Sequence, residues 1–133
     1  MQRAVAGAPA AASLGRFARA ALPAGYAVTV RVVAAREGRL LNRSFRKRDY
    51  ATNVLSFSYG GGRGDIVLCH PVIAREARAQ RKSLRAHYAH LVVHGILHLR
   101  GHDHLSKADA ARMERKEVRL LRQLGFDDPY TLK

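Results

Sequence analysis

The sequence predicts an α+β domain: a small mixed β-sheet covered by helices, one of which carries a metal-binding row of histidines. Three observations point there. Runs rich in β-branched residues are confined to the first half and bounded by glycines. After Pro71 the apolar residues recur at helical spacing almost to the end. The stretch "HGILHLRGHDH", His94 to His104, sets histidines one helical turn apart and then around a glycine.

The elements come in this order. "MQRAVAGAPAA" lacks the Leu/Val-rich centre of a signal peptide, and Arg16 and Arg19 interrupt the next stretch, so residues 1–12 read as a loose segment. "SLGRFARAALP" reads as a short helix, capped by Ser13 and stopped by Pro23, with Leu14, Phe17, Ala18 and Ala21 on one face. Tyr26 to Ala34 is a β-branched run and the first strand. In "AREGRLLNRSFR", Leu40, Leu41 and Phe45 stand at helical spacing, although Gly38 weakens that helix. Thr52 to Tyr59 and Asp65 to His70 read as two strands joined through "GGGRG", a loop of hairpin length.

The second half is helical. Pro71 suits a first helical turn before "VIAREARAQRK". A longer helix starts at Ser83 as cap, carries Leu84, Tyr88, Leu91, Val92 and Leu99 inward, and ends at Gly101. The last helix runs from Ser106, its cap with Asp109 as box partner, to about Leu124, packed by Met113, Val118, Leu121 and Leu124. The order fits one domain over residues 1–133.

Composition bounds the function. Hydrophobic residues are 47% of the 133, too many for a disordered chain. No apolar run reaches the ~20 residues of a membrane span. The one cysteine, Cys69, can form no internal disulfide and no thiolate zinc site; it fits a reducing cytoplasm and a buried structural thiol. Lys and Arg total 24 against 10 Asp and Glu, a net charge of +14. Such a surface attracts polyanions through phosphate contacts and counterion release. A genome rich in G and C would also inflate Arg and Ala without any such partner.

The histidines say more. His94 and His98, four apart, can converge on one ion. His90 extends the row, but each step climbs ~6 Å while Zn–N bonds are ~2.0–2.1 Å, so a third ligand must return from beyond the helix end. Gly101 permits that reversal. The spacing His94-x3-His98-x2-Gly101-x2-His104 matches the zincin pattern H-E-x-x-H-x-x-G-x-x-H except at Gly95, which stands where the catalytic Glu would be. His94, His98 and His104 are therefore the expected zinc ligands. Three imidazoles and one open position describe a catalytic zinc. Without a Glu at position 95 a peptidase of that type lacks its general base. His87 and His90 are expected to be structural or to support the ligands. His102 is ambiguous, and Asp103 is either a partner for a ligand histidine or an acidic cap.

"HGILHLRGHDH" resembles the H-G-x-L-H-L-x-G-[YH]-D-H signature of the YbeY family of metal-dependent endoribonucleases. "LNRSFRKRDYATNVLSF" from Leu41, "GDIVLC" from Gly64 and "LGFDDPY" near the end agree with that family in order, from about Val28 to Tyr130. The resemblance implies one zinc ion on His94, His98 and His104, action on single-stranded RNA, and roles in small-subunit ribosomal RNA maturation and ribosome quality control. It places the family's functionally important arginine at Arg46. The chain departs from the pattern at Ser58, where the family usually has Pro, in the short hairpin "YGGGRG", and in lacking a legible N-terminal strand.

Phosphodiester hydrolysis needs a nucleophile, charge neutralisation and help for the leaving group. Zinc can lower the pKa of bound water to ~7. Arg46 suits a bidentate grip on phosphate. Lys47 and Arg48 extend the charge, and Asn53 and Ser56 offer hydrogen bonds to the scissile group or a sugar, although a surface run, a turn residue and an ordinary strand position explain them as well. His102 is a candidate general base; the ribose 2′-hydroxyl offers another route. Asp65 orients a group in the cleft or serves the turn. Glu114 and Glu117 are expected to form surface ion pairs with Arg115 or Arg119. The rival to a catalyst is a ribosome-binding assembly factor whose metal is mainly structural.

Overall fold

The computed structural model describes residues 2–3, 6–48, 50–101 and 106–130. Its elements are β1 (Gln2–Arg3), α1 (Ala11–Ala21), β2 (Ala27–Val33), α2 (Ala35–Arg46), β3 (Val54–Gly60), β4 (Arg63–Cys69), α3 (His70–Ala79), α4 (Leu84–Leu99) and α5 (Lys107–Gln123). The sheet order is β1-β2-β4-β3. β1, β2 and β4 run parallel, and β3 is antiparallel to β4, so the sheet is mixed. The α+β class read from the sequence is the class observed.

Strand alternation decides what each face buries. Val30, Val32, Ile66 and Leu68 point into the main core with α1, α4 and α5. Val33, Val67 and Cys69 point to the other face and pack with Leu55, Val72 and Leu41 of α2. Helices thus cover both faces. α4 lies deepest: Tyr88, Ala89, Leu91, Val92, Val93, Ile96 and Leu97 are all buried, on more than one side of the helix. A helix apolar all round belongs in a core, and the few polar positions on it stand out as candidates for chemistry.

The tight hairpin between β3 and β4 turns on Gly61 and Gly62, both at positive φ. Two such residues suit a turn whose twist matches the flanking strands. β4 consequently begins at Arg63, inside the run expected to be loop.

Four further expectations change. Within residues 1–12, Gln2 and Arg3 pair with Arg31 and Val32 as a short parallel strand, and Ala8 is buried. Ser13 does not cap α1. The helix starts at Ala11 after the extended Ala10, and the Ser13 hydroxyl accepts a hydrogen bond from Arg85 instead. Of the three apolar residues at helical spacing in α2, Leu40 and Phe45 are exposed and Leu41 is half-buried, while Asn42 is wholly buried. The cause is Gly38: a Cβ there would lie 2.9 Å from Cys69 Sγ, so the glycine lets α2 press on the sheet along the Gly38–Asn42 face. On α5, Leu120 is buried with Met113 and Leu121, whereas Val118 is only half-buried. The Ser83 and Ser106 caps form as expected, accepting from the N–H groups of Ala86 and Asp109.

Candidate metal centre and cleft

α4 presents its histidines in a ladder. Ring centroids are 6.4 Å apart for His87–His90, 6.2 Å for His90–His94 and 4.8 Å for His94–His98. The last pair is the closest, and both its members are ligands expected from the sequence. His94 and His98 open into a cavity of about 700 Å³ whose other wall is the end of α2, the residues leading into β3 and β3 itself: Phe45, Thr52, Asn53, Ser56 and Phe57. Gly101, at φ +89°, ends α4 in the left-handed conformation expected of it. His102, His104 and Asp103 lie outside the described residues.

Gly95 has a packing reason. A Cβ there would meet Ile66 Cδ1 at 3.0 Å and Ser56 Oγ at 3.1 Å. Ser56 Oγ also donates to the Gly95 carbonyl at 3.3 Å. The close approach of α4 to β3 and β4 uses the position where a zincin carries its glutamate.

The residue that sequence reasoning misplaces is Glu117. It is 1% exposed, facing α4 rather than solvent. Its carboxylate accepts from His90 Nε2 at 2.6 Å, His94 Nδ1 at 3.0 Å and the Tyr130 hydroxyl at 2.7 Å. No surface pair with Arg115 or Arg119 explains it. Burial pushes its pKa up, but the hydrogen bonds from His90, His94 and Tyr130 outweigh burial and hold it down at about 2. The signal is present in the sequence: Met113, Glu117, Leu120 and Leu121 share one helical face, so position 117 belongs to the core side.

Chemistry follows from that carboxylate. An ionised carboxylate only accepts, so the ring nitrogens facing it carry the protons. His94 therefore carries a proton on Nδ1, which makes Nε2 the nitrogen that its neutral form can offer a metal. The donor set suits zinc: two imidazoles one turn apart, with a buried carboxylate fixing the tautomer of one of them. His90, His94 and Glu117 also bring one ligand atom each within 4.8 Å of one another, a group that could itself hold a metal ion. Burial pushes the Tyr130 hydroxyl pKa up, as does its bond to Glu117. The "FDDPY" tail places that hydroxyl: Asp128 accepts the Tyr130 N–H, and Phe126 sits edge-on to Phe17 at 5.6 Å.

The remaining candidates are distributed around the cleft. Arg46 ends α2, and its side chain lies outside the described atoms. Lys47 caps α2 at φ +60°, and both Lys47 and Arg48 are exposed. Buried Asn42 straps this loop by donating to the Tyr50 carbonyl at 2.7 Å. Asn53 lines the cavity, with its amide engaged by Glu76 at 3.0 Å and by the Val54 N–H at 2.7 Å. Asp65 accepts from the Tyr59 hydroxyl at 2.6 Å across the hairpin. Cys69 is buried, and burial pushes its thiol pKa up.

His87 is buried with its Nε2 on Glu76 at 2.9 Å. Burial lowers its pKa more than Glu76 raises it, and burial lowers that of His70 as well. A histidine with a depressed folded pKa contributes fully above its unfolded value near 6.5, and the contribution is lost as pH falls from there towards the folded value. Urea unfolding midpoints should accordingly drop between about pH 7.5 and pH 5.5. The drop should be smaller in His87→Asn, and an equal drop in that variant would contradict the assignment.

Comparison with known proteins decides the family. A family model described as Endoribonuclease YbeY matches residues 11–125. The chain belongs to the YbeY family. It is 51% identical over 129 residues to an Endoribonuclease YbeY of Cupriavidus metallidurans, covering 93% of this chain and 66% of that protein. It is 53% identical over 118 residues to the Endoribonuclease YbeY of Methylibium petroleiphilum, covering 86% of this chain and 79% of that one. The chain thus spans about two thirds of the length of its Cupriavidus relatives. A solution structure from Thermotoga maritima shares the fold at a TM-score of 0.56 and 25% identity, over 90% of this chain and 87% of that one. No helix among the described residues is long and apolar enough to cross a membrane.

Proposed function

We propose that this chain is a zinc-dependent endoribonuclease of the cytoplasm that cuts single-stranded RNA, in the maturation of small-subunit ribosomal RNA and in ribosome quality control. The observation that carries the reading is the Glu117–His94 hydrogen bond beside His98 at the cleft. A ligand histidine typically donates its second ring N–H to a fixed acceptor such as a buried carboxylate, and His94 does so while it faces the cleft beside His98. Family membership supports RNA as the substrate. So does the net charge of +14, with Arg115, Arg119 and Arg122 exposed along α5.

In this reading His94, His98 and His104 hold the metal. Bound there, zinc supplies Lewis acidity at the phosphoryl group and a lowered pKa for water. The protein's own residues do the rest. Glu117 fixes the Nδ1 proton of His94, and Tyr130 and His90 hold Glu117 in place. Arg46 grips the scissile phosphate with two parallel N–H donors, and Lys47 and Arg48 carry the flanking phosphates. Ser56 offers a hydroxyl to the scissile group or a sugar, and Asn53 sets the start of β3 at the cleft wall. His102 takes or returns the proton.

Purified protein should cleave a labelled single-stranded RNA, lose that activity on chelation and regain it when zinc is restored. RNA cleavage that survives chelation and metal depletion would refute the metal-dependent reading.

A further inference from the structure

One wall of the histidine cleft is aromatic. Phe45, in the last turn of α2, is 64% exposed. Its ring stands edge-on to Phe57 of β3, with centroids 4.9 Å apart and planes at 64°. Both rings line the same cavity as His94, His98 and Ser56. Burial in the core does not account for the position. α2 reaches the sheet through Gly38, and the side chain it buries completely is Asn42, while Phe45 stays in water. Phe57 braces the ring from the side. Lys47 and Arg48 follow Phe45 by two and three residues and are exposed. A large ring and a second ring holding it therefore line the histidine cleft, and two exposed cations stand a little further along the chain.

We propose that Phe45 is a stacking platform for an unpaired nucleobase of the RNA substrate, braced by Phe57, with the neighbouring phosphates against Lys47 and Arg48. The inference rests on the RNA-cleaving reading and deepens it. Every base has a π-face, so such a platform is tolerant of sequence. A base inside a duplex is already stacked on both sides and cannot present that face, so the platform selects single strands. The exposed cations just beyond the ring in the chain and the net charge of +14 favour RNA over an apolar peptide.

The test uses the full chain carrying His98→Ala, so that RNA binds without being cut. The probe is a short single-stranded RNA with 2-aminopurine at each position in turn. Fluorescence should be quenched on binding at one position. Phe45→Ala should abolish that quenching and weaken binding about five-fold or more. Phe45→Trp should restore both, whereas Phe45→Leu, apolar but without a π-face, should not. An abasic nucleotide at the quenched position should weaken binding to the protein with Phe45 and leave binding to Phe45→Ala unchanged. With His98 intact, Phe45→Ala should raise KM more than it lowers kcat. Unchanged affinity and quenching in a folded Phe45→Ala protein would overturn the platform while leaving the nuclease reading in place. Full function in Phe45→Leu would reduce the contact to simple apolar packing and overturn it too. If the protein with Phe45 intact binds no RNA, the platform and the nuclease reading fall together.

Discussion

Glu117→Gln is expected to lower zinc affinity about 10–100-fold while leaving the helices in place. The carboxylate receives three hydrogen bonds, from His90, His94 and Tyr130. An amide has only one oxygen to receive them, and its NH2 group would face donors. One histidine must then turn or change tautomer. If that is His94, its Nε2 becomes protonated and is lost as a ligand. Glu117→Ala is the harsher variant: it takes the acceptor from three donors, of which His90 is the most buried, and should lower the thermal midpoint as well. Competition against a chromophoric zinc chelator measures the affinity, and far-UV circular dichroism monitors the fold. Tyr130→Phe removes one donor and should have the smallest effect of the three. Equal zinc affinity in wild type and Glu117→Gln would mean that His94 does not owe its ligand form to Glu117.

Gly95→Glu, which restores the glutamate of the zincin pattern, is expected to damage the protein rather than confer peptidase activity. Even a Cβ at position 95 meets Ile66 at 3.0 Å and Ser56 at 3.1 Å. Ile66 is fully buried and cannot withdraw. A longer, charged side chain must push β3 and β4 away from α4, at about 1–3 kcal/mol for overpacking alone, with more for any charge left without a partner. The thermal midpoint should fall by about 5–15 °C. Gly95→Ala should show a smaller shift in the same direction. A Gly95→Glu protein as stable as wild type would contradict the packing account of this glycine.

Much of this architecture is legible in the sequence because the relevant signals are periodic. The Leu14, Phe17, Ala18 and Ala21 face of α1 and the histidine pair of α4 follow directly from the helical repeat. The caps at Ser83 and Ser106 follow from local chemistry. The features that escape a sequence reading are long-range. β1 has two residues and no hydrophobic alternation to reveal it; only its partner in β2 makes it a strand. Leu40 and Phe45 resemble the inner face of α2, but a glycine four residues before Asn42 allows a closer approach on a different face. Glu117 reads as a surface charge because carboxylates usually are. Its place on the Met113–Leu121 stripe outweighs that prior, since the partners that make burial tolerable come from α4 and the tail. The "FDDPY" stretch is recognisable as a motif, but its purpose, bringing the Tyr130 hydroxyl to Glu117, exists only in the folded chain.

The measurement that tests the account most directly is His98→Ala, assayed side by side for cleavage of labelled single-stranded RNA, RNA binding and thermal unfolding. The account predicts that cleavage is lost while the fold and RNA binding persist, as expected when a ligand to a catalytic metal is removed. A variant that cuts as fast as wild type, or one that loses its fold together with its metal, would contradict it.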